Sequence, residues 1–456
     1  MTDYFEVHDR DGAARIGELR LADSRPTPAL VDDILVDAGS LWPDSREVPD
    51  GGESALTVLP HRAIPGGTPD DVAETFATDY PDVDYPSAAV VTPEAAGGVE
   101  ATVDAYVLST AQAIAGHARA FVDAIIQTRE AIPHDTALYL PGIATPANVA
   151  TLVYAGVDLV DTDRAVLKGS QGKYLTVDGE QFLEDLEELP CACPACQTSI
   201  DEFGQAECEQ HNVNALRAAL ATARQRVRRG RLRDYIEGQA RHEQWLTAVF
   251  RRLDQQYSYV EQRTPVIRRA EITAATEDTM RRVEIQRFAQ RVTERYQCRF
   301  DNPLVIVPCS AAKPYSESQS HGQYHDAVQF RGHTLSMTSP IGVVPQELEL
   351  TYPAQHYDSV VTGHWSATEK EFVADVLEAY LRRNDYPRVI AHVPGEGYRD
   401  ICERVEESLG LDFEYTVADH PTTTESLANL AATLSDELKY GKRERQHNTE
   451  IGRAHV

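Results

Sequence analysis

The sequence predicts an α/β protein in which two regions of alternating strands and helices flank a mainly helical segment. Between residues 104 and 161, short apolar runs alternate with helical runs at the spacing of parallel βα units. A second alternation begins after Phe300. Because 456 residues exceed what one ordinary core accommodates, we expect two or three domains.

Residues 1–90 give only a weak secondary-structure pattern, since they are rich in Asp, Pro and Gly. Beyond them the alternation is regular, and βα units of this kind build either a barrel or an open sheet. We predict strands at 54–59, 88–91, 105–108, 137–140 and 156–161, and helices at 110–131 and 146–154.

Asp161 is the last residue of the strand predicted at 156–161. A carboxylate at the carboxyl end of a parallel strand occupies the position where barrel enzymes keep their catalytic groups. An ordinary loop or helix-capping Asp is the alternative, and position alone does not separate the two.

The composition is acidic and poor in lysine. Asp and Glu number 72 against 43 Lys and Arg, which gives a formal net charge of −29 at pH 7. Carboxylate-rich surfaces keep proteins soluble in concentrated salt, which indicates a halophile. Molar salt screens charge within ~3 Å, so the acidity does not exclude an RNA partner. The chain starts without a signal-peptide pattern and lacks an apolar run of the ~20 residues that a membrane helix needs, so we expect a cytoplasmic protein.

A cysteine cluster follows the first region, as Cys191, Cys193 and Cys196 fall close together. With an odd count of seven cysteines and a cytoplasmic location, this spacing indicates a metal site and not disulfides. Three thiolates close three corners of a tetrahedron, and either His211 or Cys208 can supply the fourth. His211 is the better candidate because it opens the helix predicted next. We therefore predict a structural Zn²⁺ held by the three cysteines of the cluster and His211.

Residues 212–297 are predicted to be mostly helical, with helices at 213–229 and 263–294. The second of these alternates Arg and Glu, which is typical of a packed linker helix. The densest basic cluster of the chain lies in the same segment and is either a solvated helix face or a phosphate contact. Its members are Arg224, Arg226, Arg228, Arg229, Arg231 and Arg233.

The second α/β region is predicted to form a small three-layer domain. Its first strand ends in a polar loop, residues 308–321, that carries a thiol, a lysine, a tyrosine, several serines and a histidine. Ligands of α/β proteins bind just past the carboxyl ends of strands, so this loop is the predicted chemical centre, with a solvated loop as the alternative. We expect strands at 304–307, 359–361, 388–393 and 413–416, and helices at 369–383 and 399–408.

Segments of the first region resemble archaeal tRNA-guanine transglycosylase, in that family's order over residues 138–236. The matching segments are 141–146, 156–161, 173–176, the cysteine cluster with His211 and Asn212, and 229–232. The loop at 307–321 resembles the Pro-Cys-Ser-x-x-Lys-Pro-Tyr signature of archaeosine synthase, a paralogue built on a transglycosylase-like body. Residues 359–393 are similar to that family's following domain, so the resemblance covers residues 100–435.

The resemblance implies a degenerate TIM-barrel-like transglycosylase body with a zinc site, then a helical linker, then a small three-layer α/β domain. The part before the cysteine cluster is short for a complete barrel of ~250 residues. The Asp-Ser-Gly-Gly-Phe-Gln type segment, which holds a second catalytic Asp in transglycosylases, is missing from the sequence. The expected boundaries are 1–236 for the body, 237–299 for the linker, 300–440 for the second domain and 441–456 for a truncated end.

The family acts on position 15 in the D-loop of archaeal tRNA. The resemblance implies conversion of the nitrile of 7-cyano-7-deazaguanine toward archaeosine, with free lysine or glutamine as the amino donor. A radical-SAM enzyme is an implied partner, and a homodimer is a candidate assembly. Two alternatives stay open: an active tRNA-guanine(15) transglycosylase, in which Asp161 is the nucleophile, and a non-catalytic tRNA-binding paralogue.

The groups of the loop suggest a mechanism. Cys309 is predicted to add to the nitrile as a thiolate, which an amine then displaces. Lys313 is predicted to lower the thiol pKa, to protonate the nitrogen or to be the attacking amine, and His321 to shuttle the proton. In the alternative, Cys309 is a buried strand-end thiol and Lys313 acts alone. The base or the donor is expected to be bound by Ser310, Tyr315, Ser318 and Ser320.

The last residues, 450–456, can be encoded by a sequence that resembles a common sequencing adapter. We therefore expect residues 450–456 to be non-native and the gene to be truncated before the RNA-binding PUA domain with which the family normally ends.

Overall fold

The structure, a computed structural model, describes residues 2–37, 48–61, 69, 71–72, 80–359 and 364–435. The chain divides into two compact units, residues 1–266 and 267–456. The division falls inside the stretch 237–299 that the sequence predicts as a linker. Val360 and Val361 of one predicted strand, and the expected truncated end at 441–456, lie outside the described residues.

The described strands of the first unit are β1 (Phe5–Asp11), β2 (Ala14–Leu19), β3 (Arg25–Thr27), β4 (Ala29–Leu30), β5 (Leu35–Asp37), β6 (Leu56–Val58), β7 (Ser87–Val91), β8 (Ala105–Leu108), β9 (Ala137–Tyr139), β10 (Leu159–Val160), β11 (Lys173–Thr176) and β12 (Gly179–Phe182). A small antiparallel sheet contains β1, β2 and β3, and a hairpin contains β11 and β12. The unit is built on a parallel sheet of the other seven strands in the order β4-β10-β9-β8-β7-β6-β5, which curls like part of a barrel.

Helices of the first unit cover one face of this sheet. Along β8, Tyr106 and Leu108 belong to the core shared with the helices, whereas Ala105 and Val107 belong to the core on the other face, as strand alternation requires. The helices are α1 (Ala111–Ile114), α2 (Ala118–Ala131), α3 (Val149–Ala155), α4 (Asp163–Ser170), α5 (Gln205–Arg228), α6 (Leu232–Gln239), α7 (Gln244–Asp254) and α8 (Tyr257–Arg263). The barrel-like α/β body predicted by the sequence is confirmed.

Two predicted helices of this unit differ from the structure. The helix predicted at 110–131 is interrupted between α1 and α2, where Gly116 adopts a left-handed φ of +86° that a helix interior cannot contain. The helix predicted from 213 starts earlier, at Gln205, so His211 lies in its second turn and does not open it.

The described strands of the second unit are β13 (Ile272–Ala274), β14 (Leu304–Pro308), β15 (His333–Thr338), β16 (Gly342–Pro345), β17 (Tyr357–Ser359), β18 (Val389–Ala391) and β19 (Phe413–Tyr415). Five of them form a sheet in the order β16-β15-β14-β18-β19, in which only the β15–β16 pair is antiparallel. Strands β13 and β17 form a separate, short parallel pair. The helices are α9 (Val283–Gln290), α10 (Gln319–Val328), α11 (Ala367–Arg383), α12 (Asp400–Leu409) and α13 (Thr424–Ser435).

The central strand β14 shows why this unit has three layers. Leu304 and Ile306 are buried in a core that includes residues of α11 and α12, whereas Val305 and Val307 are buried against α10 and α13. A strand buried on both faces reads as a continuous apolar run, which is how the sequence predicted it. None of the described helices has both the length and the apolar character needed to span a membrane.

The single packed helix predicted at 263–294 is wrong. Helix α8 ends at Arg263, and Pro265, which cannot continue a helix, follows shortly after. The β-branched pair Ile272 and Thr273 then forms β13 and pairs with β17, and a helix resumes only at Val283.

Candidate functional site

The predicted metal ligands come together in the first unit. The ligand atoms of Cys191, Cys193, Cys196 and His211 all lie within 4.8 Å of one another. The Nδ1 atom of His211 is 3.2 Å from the Sγ atom of Cys196 and 3.5 Å from that of Cys193. Three thiols and one imidazole at this spacing fit a closed tetrahedral metal site.

The surroundings of His211 fit the same role. Its Nε2–H donates to the Leu175 carbonyl oxygen at 2.9 Å, which leaves Nδ1 facing the sulfurs, and the Tyr174 ring stacks on the imidazole at 3.7 Å. Such a backbone partner fixes the tautomer and orientation of a metal-binding histidine. Cys208, the alternative fourth ligand, instead directs its Sγ to the Lys173 carbonyl oxygen at 3.4 Å.

Asp161 lies at the carboxyl end of β10 and is buried, with 4% of its surface exposed. Its Oδ2 atom accepts hydrogen bonds from the Tyr139 hydroxyl at 2.8 Å and the Gly142 N–H at 2.7 Å, while Oδ1 accepts from the Asp163 N–H at 3.1 Å. Burial raises the pKa of Asp161 and the hydrogen bonds oppose that rise. The carboxylate is thus held by donors from its own chain.

The basic cluster divides into structural and exposed members. Arg233 is buried and pairs with Glu237 and Asp254, and Arg224 donates to the Pro28 carbonyl oxygen at 2.7 Å. Arg228 and Arg229 are exposed at the end of α5. The two exposed guanidiniums are the part of the cluster suited to a phosphate contact, because an exposed cation can reach a phosphate oxygen. 

The predicted chemical loop leaves the second unit's sheet at a topological switch point. The chain passes from β14 to β15 on one side and later returns to β18 on the other side. Carboxyl ends of neighbouring parallel strands that diverge in this way create a crevice for ligands. A cavity of about 810 Å³ opens there, within the ~300–1,000 Å³ range of small-molecule sites. Its wall contains residues at or just past the carboxyl end of each of the three strands: Pro308, Cys309 and Ser310; Ser339 and Pro340; and Pro394.

Cys309 places a thiol in the wall of this cavity. Its N–H donates to the Met337 carbonyl oxygen at 3.1 Å, which continues the β14–β15 ladder by one residue and fixes the thiol at the cavity wall. The Sγ atom is 3.4 Å from the Tyr398 hydroxyl oxygen. Cys309 is partly buried and belongs to the residues that line the cavity.

Lys313 is not among the cavity-lining residues, and its side chain packs on the Tyr357 ring. Its ammonium lies 3.9 Å from the centroid of the Tyr357 ring and donates to the Ala311 carbonyl oxygen at 3.3 Å. Burial lowers the pKa of Lys313, while Cys309, Asp358 and Glu271 oppose that lowering. A lysine with a lowered pKa has more of the neutral amine that can act as nucleophile or base.

Three further loop residues predicted to act on substrate have packing roles in the structure. His321 is buried, its Nε2–H donates to the Pro308 carbonyl oxygen at 3.1 Å, and its ring stacks on Tyr315 at 4.8 Å. Ser318 caps α10 by accepting the His321 N–H. The Tyr315 hydroxyl is hydrogen-bonded to the Tyr357 hydroxyl, with 2.5 Å between the two oxygens.

Four residues were expected to bind substrate, and two of them, Ser310 and Ser320, line the cavity.

Sequence reasoning missed several residues of the cavity wall, among them Trp365, Glu369 and Tyr398. The Glu369 carboxylate accepts from the Ser366 N–H at 2.9 Å and from the Ser339 hydroxyl at 2.6 Å, so its side chain is fixed. A usable signal was present: Trp365 and Tyr398 each stand a few residues after a predicted strand, where ligands bind in α/β folds.

Comparison with known proteins places these two units in a family. The family model described as Queuine tRNA-ribosyltransferase matches residues 90–244, and a model described as a domain of unknown function, DUF5591, matches residues 285–434. The archaeosine synthase of Haloferax volcanii is 66% identical over 448 residues, covering 98% of this chain and 76% of that protein. The chain belongs to the archaeosine synthase family. The predicted resemblance is therefore confirmed.

More distant relatives agree with this assignment. Archaeosine synthase subunit alpha of Methanosarcina acetivorans is 40% identical and covers 95% of this chain and 75% of its own length. A tRNA-guanine(15) transglycosylase of Methanobrevibacter smithii is 26% identical over 60% of this chain and 43% of its own. The relative from a haloarchaeon fits the halophilic character that the acidic composition indicates.

Proposed function

We propose that this chain modifies tRNA in archaeosine biosynthesis, by adding an amino donor to the nitrile of 7-cyano-7-deazaguanine at position 15. Membership of the archaeosine synthase family supports the overall reaction. The observation that carries the site is the cavity at the end of β14, where the Cys309 thiol stands beside Ser310 and Ser320. The cavity is large enough for a flipped base together with a small donor.

The chemistry of a nitrile explains the need for a thiol. The Cys309 sulfur forms a bond to the nitrile carbon, one C–N π bond breaks, and its electron pair goes to nitrogen, which takes up a proton. The donor amine then bonds to the same carbon. The C–S bond breaks, the thiolate is restored, and the surplus proton of the amine passes to solvent, which leaves an amidine.

Lys313 is proposed to assist these steps from its place over the Tyr357 ring. As an ammonium it favours the Cys309 thiolate and can protonate the nitrile nitrogen, and as an amine it can take the surplus proton of the donor. His321 is proposed to support the loop from within, because burial lowers its pKa to about 4 and its ring stacks on Tyr315.

The cysteine cluster is proposed to hold a structural Zn²⁺. Four protein ligands leave no open position for substrate, so the metal would supply folding energy to the first unit and not chemistry. The first unit is proposed to bind the tRNA, with Arg228 and Arg229 among its phosphate contacts.

The other candidate functions have less support. Base exchange needs an accessible carboxylate nucleophile, whereas Asp161 is buried and accepts three hydrogen bonds from its own chain. Pure tRNA binding does not require a thiol in a cavity of this size. We therefore propose that Asp161 orients a base or has no chemical role.

Mass spectrometry of tRNA carrying the cyano base tests the proposal. The protein is incubated with this tRNA and either lysine or glutamine, in molar KCl, and the modified nucleoside is analysed. The expected result is a mass increase at position 15 with one of the two donors. An unchanged cyano base with both donors, together with intact folding, would contradict the proposed reaction.

A further inference from the structure

A tyrosine outside the predicted loop lies against the proposed nucleophile. The Tyr398 hydroxyl oxygen is 3.4 Å from the Cys309 Sγ atom, and both residues line the same cavity. Tyr398 follows β18, 89 residues further along the chain, and lies in the turn Gly395–Arg399 that precedes α12. The thiol and the phenol therefore reach the cavity from two neighbouring strands of the sheet.

The position of the phenol is fixed by its packing. The Tyr398 ring packs against that of Trp365 at 4.6 Å, with an angle of 55° between the ring planes. Burial and the nearby Cys309 raise the pKa of Tyr398 far above its ordinary value, so this hydroxyl keeps its proton. A protonated phenol can donate a hydrogen bond to a thiolate, and such a bond to an ionised acceptor is among the stronger ones.

We propose that Tyr398 donates a hydrogen bond to the Cys309 thiolate and is a further residue of the reaction centre. This inference rests on the proposed function only where it takes Cys309 as the nucleophile. The Lys313 ammonium contacts the Tyr357 ring and the Ala311 carbonyl oxygen, so its effect on the sulfur acts through space. The phenol, in contrast, lies within hydrogen-bond distance of the sulfur itself.

The bond serves two steps of the proposed chemistry. Before addition, it favours the thiolate over the thiol and directs the sulfur into the cavity. After the donor amine has bonded to carbon, the C–S bond breaks and its electron pair returns to sulfur. The same O–H stabilises this leaving thiolate, so no additional reactant is needed.

The test measures the Cys309 thiol without any tRNA. The rate of alkylation of Cys309 by iodoacetamide is followed against pH by peptide mass spectrometry, in molar KCl, for the full chain and for Tyr398→Phe. We expect Cys309 to be alkylated roughly tenfold more slowly at pH 7 in Tyr398→Phe, because the thiolate loses its hydrogen-bond donor. The phenylalanine ring keeps the packing against Trp365, so the fold should be retained.

Tyr415→Phe is the matched control, because it removes a tyrosine hydroxyl of the same unit whose partner is Glu406 at 2.5 Å and which does not line the cavity. Its alkylation profile should equal that of the unaltered chain. An unchanged profile in Tyr398→Phe would overturn the inference. So would faster alkylation of Cys309 in Tyr398→Phe, since it would mean that the phenol accepts a hydrogen bond from the neutral thiol.

A second readout separates this inference from the proposed function. Modification of cyano-base tRNA is measured for the same variants at saturating donor. A shifted thiol profile with unchanged tRNA modification would support the hydrogen bond and contradict Cys309 as the nucleophile. A shifted profile with a parallel, roughly tenfold loss of modification rate supports both.

Discussion

The Lys313 ammonium lies 3.9 Å from the centroid of the Tyr357 ring, although 43 residues separate the two in sequence. Tyr357 is buried, and its hydroxyl is hydrogen-bonded to the Tyr315 hydroxyl at 2.5 Å and to the Thr338 hydroxyl at 2.7 Å. The Tyr357 ring face thus contacts the Lys313 ammonium, while its hydroxyl links β17 to β15 and to the loop at 308–321 by hydrogen bonds. An aromatic face stabilises an ammonium by ~0.5–2 kcal/mol, more as the site becomes drier.

Two substitutions at Tyr357 should separate these two roles. Tyr357→Phe keeps the ring and removes the hydroxyl, so we expect a loss of about 1–3 kcal/mol of unfolding free energy from the unpaired neighbours, with an unchanged pH profile of Lys313. Tyr357→Leu removes the ring as well, and the pKa of Lys313 should fall further because the ammonium loses its partner. Reductive methylation of Lys313 against pH, read by mass spectrometry, measures this. Equal profiles in both variants would show that the ring has no effect on the lysine.

Lys313→Ala should abolish the modification of cyano-base tRNA, with a loss of rate of at least about 100-fold, in the range that one acid–base group contributes. Lys370→Ala is the matched control, since the Lys370 Nζ atom pairs with Asp400 at 2.6 Å on an exposed surface and should retain the full rate. The nucleoside is analysed by mass spectrometry. A near-normal rate in Lys313→Ala would rule out every role proposed for this lysine.

The proposed metal site should bind one Zn²⁺ ion per chain. Elemental analysis of the purified chain should give one Zn²⁺ per molecule, and Cys196→Ser should lose the metal and unfold the region around β11 and α5. Cys208→Ala is a suitable control, because the Cys208 thiol contacts the Lys173 carbonyl oxygen and lies outside the ligand group. Retained zinc in Cys196→Ser, or its loss in Cys208→Ala, would contradict the ligand set. Hydrogen exchange of residues 173–228 reports the unfolding.

The buried His321 should make the second unit sensitive to acid. Burial lowers the pKa of His321 to about 4 from its ordinary 6.5. Above pH 6.5 the folded and unfolded chains are both neutral at this site, whereas below it the unfolded chain binds a proton that the folded chain refuses. Stability is therefore lost as the pH falls from 6.5 toward 4, by about 3 kcal/mol over the whole range.

His321→Phe keeps a ring against Tyr315 and removes the titration, so it should flatten the pH dependence over this window. The slope will not vanish, because burial also lowers the pKa of His392 in the same unit. His8→Gln alters an exposed histidine of the first unit and should leave the slope unchanged. Denaturant unfolding monitored by hydrogen exchange of residues 304–328 provides the measurement. A slope in His321→Phe equal to that of the unaltered chain would disprove the assignment.

Asp161→Asn should leave the modification of cyano-base tRNA within about threefold of the original rate, as expected for a residue outside the chemistry. The neutral amide still offers an oxygen to the Tyr139 hydroxyl, although its NH₂ group fits poorly against the other N–H donors, so some loss of stability is expected. Exchange of radiolabelled guanine into tRNA is the companion assay. Exchange by the unaltered chain that disappears in Asp161→Asn would establish a transglycosylase instead.

The metal ligands and strand β14 could be predicted from the sequence because each depends on residues that are close together in the chain. The metal cluster was predicted from the spacing of three cysteines and a histidine, and the structure brings all four ligand atoms together. Strand β14 was evident because a strand buried on both faces is uniformly apolar. Helix boundaries were less accurate, as at Gly116, where one residue in a left-handed conformation divides a helical pattern.

The sequence by itself determined the family, the α/β character of both regions, the metal cluster and the loop that carries Cys309 and Lys313. Only the tertiary structure showed that Tyr398 and Tyr357 are their partners, and that His321 faces the interior. These pairings join Cys309 to Tyr398, 89 positions later, and Lys313 to Tyr357, 44 positions later. Periodicity and spacing report the local environment of a residue, whereas contacts over such separations depend on how the sheet orders its strands.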